Sequence, residues 1–271
     1  MSTRASTRAV GRASLWSGPT LRVVEREVRV YRRLWRGSAF STLGFPVLFL
    51  AALGIGVGGL VEEGTGRVEG LDYLDFVAPG MLAASVLLSA AGHSMWPVIA
   101  GAKWVGYYHA TVSSPLTPAS LHQGLVAWSV IQATGAAAVF LAIATLLGGV
   151  PSPWAPLTLP VAALLAGAIA APLAAFAAGR DNDASFSVIM RLGVQPLFLF
   201  SGTFFPVANL PDSLEPVAWL SPLWHAVELC RAATTGAVDW PLVPAHVGVL
   251  VGLLLVGLRW GRRSFTTRLT P

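Results

Sequence analysis

Four basic or titratable side chains, His93, His122, His246 and Arg191, fall inside or at the ends of long apolar stretches, and no aspartate or glutamate joins them there. A histidine well within a span, as His93 is, either titrates near neutral pH or hydrogen-bonds a neighbouring helix. His122 and His246 fall near span ends, where interfacial histidines are ordinary. Arg191 has two readings. Its stem can snorkel to the inner headgroups, or its guanidinium can meet an anionic headgroup or pyrophosphate in a cavity. Gln195 lies one turn further along the same face. Transport coupled to protons or sodium ordinarily places carboxylates near the midplane. Glu228 is the nearest carboxylate, on a short segment outside the apolar runs. It becomes an exception to the acid-free interior only if that segment dips into the membrane.

Other chemistry is poorly supplied. A P-loop needs a lysine after its glycine-rich turn to reach phosphates. The only lysine, Lys103, follows Gly101 and Ala102 and lacks the rest of that pattern. The chain is therefore expected to hold no P-loop ATPase. Ser201-Gly202 does not match the G-x-S-x-G elbow of a serine hydrolase. Asp181 and Asp183 form an isolated acidic pair, with only His109 in the other short loop, and no metal site is expected. The single cysteine, Cys230, excludes an internal disulfide. It is either a small packing residue or a reactive thiol.

Positioning these groups falls to six apolar runs: Ala39–Leu60, Phe76–Gly101, Ser120–Leu147, Leu157–Ala178, Phe186–Val207 and Pro241–Leu258. Each has about twenty residues, enough at about 1.5 Å per residue to cross about 30 Å of hydrocarbon. A chain of 271 residues that is 54% hydrophobic and 11% charged is too apolar for a soluble domain. The runs are also too long and continuous for the alternating strands of an outer-membrane barrel. The expected fold is an all-α polytopic membrane protein with six transmembrane helices.

Charge sets the expected orientation. Residues 1–38 hold nine arginines against Glu25 and Glu27, and the tail after Leu258 adds Arg259, Arg262, Arg263 and Arg268. The loop Val61–Asp75 holds Glu62, Glu63, Glu69, Asp72 and Asp75 against Arg67. Basic ends belong in the cytosol, so both termini are expected inside and the acidic loop outside. The net charge of +5 follows this topology and is no signal for nucleic acid. Seventeen arginines to one lysine suit a GC-rich bacterial genome, and the expected location is a bacterial inner or plasma membrane. No apolar stretch precedes Ala39, so the first span is expected to direct insertion; an organelle transit peptide is the other reading of the Arg/Ser-rich start.

Along the chain, 1–18 reads as a disordered leader and 19–37 as an amphipathic helix. There Leu21, Val24, Val28, Tyr31 and Trp35 share one face, and Glu25 with Arg29 forms an i,i+4 pair. Such a helix either anchors on anionic lipid or serves as a lever touching a cytosolic partner. Residues 38–260 form the membrane domain and 261–271 a basic tail. Small residues at Gly54, Gly58, Ala163, Gly167 and Ala171 permit close helix approach, and Pro172 is expected to kink its helix. Phe198–Pro222 is broken by prolines. It reads as a re-entrant or interfacial outer hairpin between the fifth and sixth spans, or as a wide loop with aromatic anchors, followed by a short helix over Leu223–Ala233.

Three segments carry a family resemblance: YLDFVAPGMLA (Tyr73–Ala83), YYHATVSSPLTPASL (Tyr107–Leu121) and PLFLFSGTFFPVANLPDSLEPVAWLSPLWHAVELCRA (Pro196–Ala232). Together they resemble the membrane subunit of ABC-2 type exporters, in the branch of the nodulation lipo-oligosaccharide and daunorubicin-resistance permeases. The resemblance covers about residues 20–260. It implies a six-span permease that works with a second copy of itself and two cytosolic ATPase subunits. Those subunits, and not this chain, would bind ATP and Mg. It also implies that Leu21–Trp35, with Glu25 and Arg29, resembles a connecting helix. Ser113, Ser114, Pro115, Leu116 and Pro118 would belong to a coupling helix docked on the ATPase. Phe204–Leu223 would be the outer hairpin that closes the exit.

On this reading Arg191, Gln195, Phe204, Phe205 and Trp219 line or gate the path of an amphipathic substrate: a lipid-linked saccharide, a glycolipid or a hydrophobic drug. Membrane lipids are further expected partners. A membrane-embedded lipid-modifying enzyme and a non-transporting assembly subunit are the rival readings; the first would need an acid/base or metal constellation that the sequence does not display.

Overall fold

The structure is a computed structural model that describes residues 18–52, 56, 67–112, 116–211 and 215–270. Helix α1 (Gly18–Ala51) carries the basic amphipathic stretch and the start of the first apolar run without interruption. Then come α2 (Tyr73–Ile99), a π turn (Ala100–Trp104), α3 (Tyr107–Val112), α4 (Pro118–Leu146) and α5 (Thr158–Ala178). The fifth apolar run forms α6 (Ala184–Ile189), a π turn (Met190–Val194) and α7 (Gln195–Phe200). Short α8 (Glu215–Trp219) and α9 (Pro222–Thr235) precede α10 (Val243–Leu269). Among the described residues the nearest approach to a sheet is one isolated bridge, Val68 to Leu71.

Four stretches are long and apolar enough to cross a membrane: Tyr73–Trp104, Pro118–Leu146, Ala155–Ala178 and Val243–Leu269. They correspond to the second, third, fourth and sixth expected spans. Most of the first run beyond Ala51 lies outside the described residues. The fifth run differs from expectation. Its helix stops at Phe200 instead of continuing to Val207, giving a shorter apolar helix over Ala184–Phe200. Gly202 adopts a left-handed φ of +74°, and Pro206 follows, so the chain turns where the hydrophobic pattern alone continues.

Helix α2 is the hub. Phe76, Val77, Met81, Leu82, Val86, Leu87, Met95, Val98 and Ile99 are all buried, against α1, α4, α5 and α9. Helix α4 begins at a capping box in which Thr117 and Ser120 satisfy each other's backbone N–H groups, with Pro118 in the first turn. Helix α9 is capped by Ser221, whose Oγ accepts from Trp224 N at 3.3 Å, and ends at Gly236 with φ +82°.

The α5–α10 contact depends on missing side chains. A Cβ on Gly257 would lie 2.5 Å from Pro172 Cδ, and one on Gly261 would enter the His122 ring. His122 is not the interfacial side chain that its position near a span end suggests. It is fully buried and its Nε2 donates to the Ala171 carbonyl at 3.1 Å, so α4 is pinned to α5 beside Pro172. The face of α1 that meets the bundle also differs from the expected stripe. Thr20 and Val23 are buried and Glu27 and Tyr31 half-buried, whereas Leu21 and Val28 are exposed.

The pinned contact gives a first prediction. Gly261→Ala should destabilise the chain by about 1–3 kcal/mol, because the His122 ring has no room to yield. Gly248→Ala, whose Cβ would meet nothing within 4 Å, should leave the melting temperature in detergent close to wild type. Equal melting of the two variants would refute the contact.

Candidate functional site

Two ends of the bundle are chemically distinct. One holds the start of α1, Tyr107, Tyr108 and the arginine-rich end of α10; it is called the basic end. At the opposite end, the turn after α7 folds back onto the start of α2. There the backbone of Thr203 lies so close to Gly80 that a Cβ on Gly80 would sit 2.8 Å from the Thr203 carbonyl oxygen.

Arg231 of α9 holds that turn. Its Nη2 donates to the Gly202 carbonyl at 2.7 Å, its Nη1 pairs with Glu228 Oε1 at 2.7 Å, and its guanidinium stands 4.1 Å over the Phe76 ring of α2. Only 7% of Arg231 is exposed; these contacts serve both Nη atoms, while its Nε is buried without a hydrogen-bond partner. Burial pulls the guanidinium below its ordinary value and Glu228 opposes that; burial likewise pushes the Glu228 carboxyl up, and Arg231 opposes it. Each partner thus limits the desolvation cost of the other. Beside them the buried Ser201 and Ser221 hydroxyls share a 2.6 Å hydrogen bond. Cys230 is fully buried, and burial pushes its thiol up to about 12, which makes it a packing residue and not a nucleophile.

A cavity of about 260 Å³ adjoins this clamp, lined by Glu69, Trp224, Glu228, Arg231, Asp239 and His246 among others. The His225 and His246 Nδ1 atoms are 2.7 Å apart. That distance suits one N–H donating to one bare nitrogen; two protonated rings would face donor to donor. Burial, then the neighbouring His246, lowers the His225 pKa.

The residues singled out for a path or gate do not converge. Arg191 lies in the π turn and is exposed, as is Gln195 at the start of α7. They share that surface with Val188, Leu192 and Leu199. Phe204 and Phe205 are half-buried in the turn, Phe204 against Phe198 with ring centres 5.1 Å apart. Trp219 is half-exposed on α8 and tilts against Trp224 at 6.5 Å. Arg231 and His225 were not foreseen as site residues. Both stand in the quoted P-L-x-H-x-V-x-L-x-R motif, and the i,i+3 spacing of Glu228 and Arg231 is the signal that would have found the pair.

At the basic end, Ser113, Ser114 and Pro115 lie outside the described residues. Leu116 is half-buried and packs on the core formed with Tyr108 and Phe265. Pro118 opens α4. Glu25 and Arg29 are ion-paired and exposed on α1. Lys103 and Arg268 both donate to Asp181 Oδ1, at 3.1 and 3.2 Å, which joins the π turn after α2, the loop after α5 and the end of α10. These hydrogen bonds, that of Lys103 first, hold the Asp181 carboxyl below its ordinary value. Among the described residues, no three His, Cys, Asp or Glu side chains gather as metal ligands would.

Two predictions follow from the clamp. Arg231→Leu should cost about 1–3 kcal/mol, since it leaves the buried Gly202 carbonyl without its donor, while Glu228, half-buried, keeps access to water. Arg231→Lys should fall between, because one ammonium cannot reproduce the fork; a wild-type melting temperature for Arg231→Leu would refute the clamp. The lowered His225 pKa contributes stability that is complete above about 6.5, the ordinary imidazole value, and is lost as pH falls below it. Melting temperature should therefore drop from pH 7.5 to 5.5, and His225→Phe should flatten that slope.

The profile of the family described as ABC-2 type transporter matches residues 20–234. The chain is 32% identical over 216 residues to Nodulation protein J of Sinorhizobium fredii, covering 76% of this chain and 80% of that relative. It is 28% identical over 234 residues to Nodulation protein J of Rhizobium meliloti, covering 86% and 85%. It is 26% identical over 231 residues to Inner membrane transport permease YadH of Escherichia coli, covering 83% and 86%. The match spans α1 to α9 and so takes in the Arg231 clamp, and the chain belongs to the ABC-2 type transporter family, as a membrane subunit of an ABC transporter.

Proposed function

We propose that this chain is the permease of an ATP-driven exporter in a bacterial inner or plasma membrane, with six spans and both termini cytosolic. Two copies pair and dock two cytosolic ATPase subunits, which hold ATP and Mg. The substrate is amphipathic: a lipid-linked saccharide, a glycolipid or a hydrophobic drug. The observation that carries this reading is the family match over residues 20–234, in a chain whose one lysine is engaged by Asp181 and follows no phosphate-binding loop. Force must then come from a partner.

The residues around Ser113, Ser114, Pro115, Leu116 and Pro118 form the docking element. Proline stiffens it, so a push from below is passed on as a rigid-body movement. Glu25 and Arg29 on α1 lie on the same side of the assembly. On the outer side, the re-entrant hairpin with Phe204, Phe205 and Trp219 closes the exit. The exposed Arg191 and Gln195 face the seam between two copies, where the guanidinium meets an anionic part of the substrate. Support for that placement comes from their exposure on a single chain, although an arginine facing lipid headgroups has the same exposure.

Purification from native membranes in mild detergent tests the reading. An ATPase subunit should accompany the permease in equal amount, and vesicles should show substrate flux only with both proteins and ATP. Gradient-driven flux by this chain alone in pure liposomes would overturn it.

A further inference from the structure

A second pocket lies at the basic end, between α1 and the bundle. It measures about 270 Å³, and its polar wall is formed by Glu27, Tyr31, His93, Tyr107, Trp128 and Gln132. The rest of its lining is largely apolar. Glu27 is one of two acids on an arginine-rich helix and the one turned inward: its side chain is 16% exposed, against 59% for Glu25. Arg26 takes Glu27 Oε1 at 2.8 Å. Burial, opposed by Arg26, pushes the Glu27 carboxyl up.

The rings form two corners. Tyr31 and Trp128 meet edge to face at 5.5 Å, and Tyr107 and Tyr108 do so at 4.6 Å. Tyr107 already accepts a cation, since the Arg26 guanidinium stands 4.1 Å over its ring. His93 Nδ1 lies 2.8 Å from the Ser89 carbonyl, which can only accept. Nδ1 therefore donates to that carbonyl, which fixes the ring against its own helix. The inward-turned Glu27 carboxylate and the π faces together ask for a ligand that brings positive charge and N–H or N–CH₃ donors. That ligand is an ammonium group.

Val30 is shared with an adjoining groove walled by Arg22, Arg26, Arg29 and Arg33 together with Glu25, which pairs with Arg29, so that Arg22 and Arg33 are the cations in it with no carboxylate partner among the described ion pairs. A cation-accepting pocket and an anion-accepting groove thus sit side by side on one helix. A pocket of about 270 Å³ holds a headgroup and no acyl chains. Val30, exposed at the boundary of pocket and groove, offers apolar surface at the mouth.

We propose that this pocket binds the headgroup of an ammonium-bearing phospholipid, the ammonium between Glu27, Tyr31 and Trp128 and the phosphate on the arginine groove. The site is separate from the proposed transport path and requires only that the chain sit in a membrane.

The test places the full chain, with any partner that stays bound, in nanodiscs of equal phosphatidylethanolamine and phosphatidylglycerol. Lipid retained after mild extraction is counted by native mass spectrometry. Wild type should retain the ethanolamine lipid in preference, and Glu27→Gln and Trp128→Ala should each lower that retention about tenfold. Val30→Trp, at a position 44% exposed and thus tolerant of substitution, should block the mouth with every acceptor intact. It keeps the test open if either of the other variants misfolds. Equal retention of both lipids, preference for the glycerol lipid, or unchanged retention in folded variants would overturn the proposal.

Discussion

A single buried guanidinium holds the end of the bundle opposite the arginine-rich termini. Arg231 reaches three parts of the chain at once: Glu228 on its own helix, the carbonyl of Gly202 in the turn after α7, and the ring of Phe76 on α2. Non-helical backbone at membrane depth must have its polar groups met by protein or water. In the turn at Ser201–Phe205 the Gly202 carbonyl is met by Arg231, and the Ser201 and Ser221 hydroxyls bond each other. Without a charged fork here, the fifth apolar run could not stop short and fold back against Gly80. The position of α9, and of the histidine pair beyond it, follows from that anchoring.

The rest of the bundle is assembled by absence of bulk. Lipid tails are as apolar as leucine, so helices in a membrane gain little from burying more of it and rely on close packing. Gly257 and Gly261 let α10 reach Pro172 and His122. The alanine-rich α5 presents a nearly smooth wall, with Ala166, Ala170, Ala171, Ala174 and Ala178 all buried. His122 adds one directed bond to this otherwise shape-driven contact.

Long apolar runs were legible because a helix must satisfy its own backbone in lipid, and four of them appear where hydrophobicity put them. The same rule explains what was not legible. Hydrophobicity does not distinguish a face that meets lipid from one that meets protein. Of the expected stripe on α1, Leu21 and Val28 are therefore exposed while Val24 and Tyr31 are half-buried, and Glu27, outside the stripe, turns inward. The end of the fifth helix depended on one left-handed glycine inside an apolar string. Arg231 lies outside the apolar runs, so hydrophobicity does not mark it, although Glu228 three residues before it signals the pair. Of the residues named for the site, Leu116 and Pro118 are placed at the start of α4, and Arg191 and Gln195 on an open surface; what lies against that surface is a property of an assembly and not of one sequence.

The two ends of the molecule are tied by different physics. At the arginine-rich end Asp181 is shared by Lys103 and Arg268 in solvent, where its side chain is 76% exposed. Dissolved ions screen such pairs readily. At the other end the guanidinium of Arg231 is out of their reach. Added salt thus weakens the pairing at the first extremity, while the largely buried cation at the second is shielded from it.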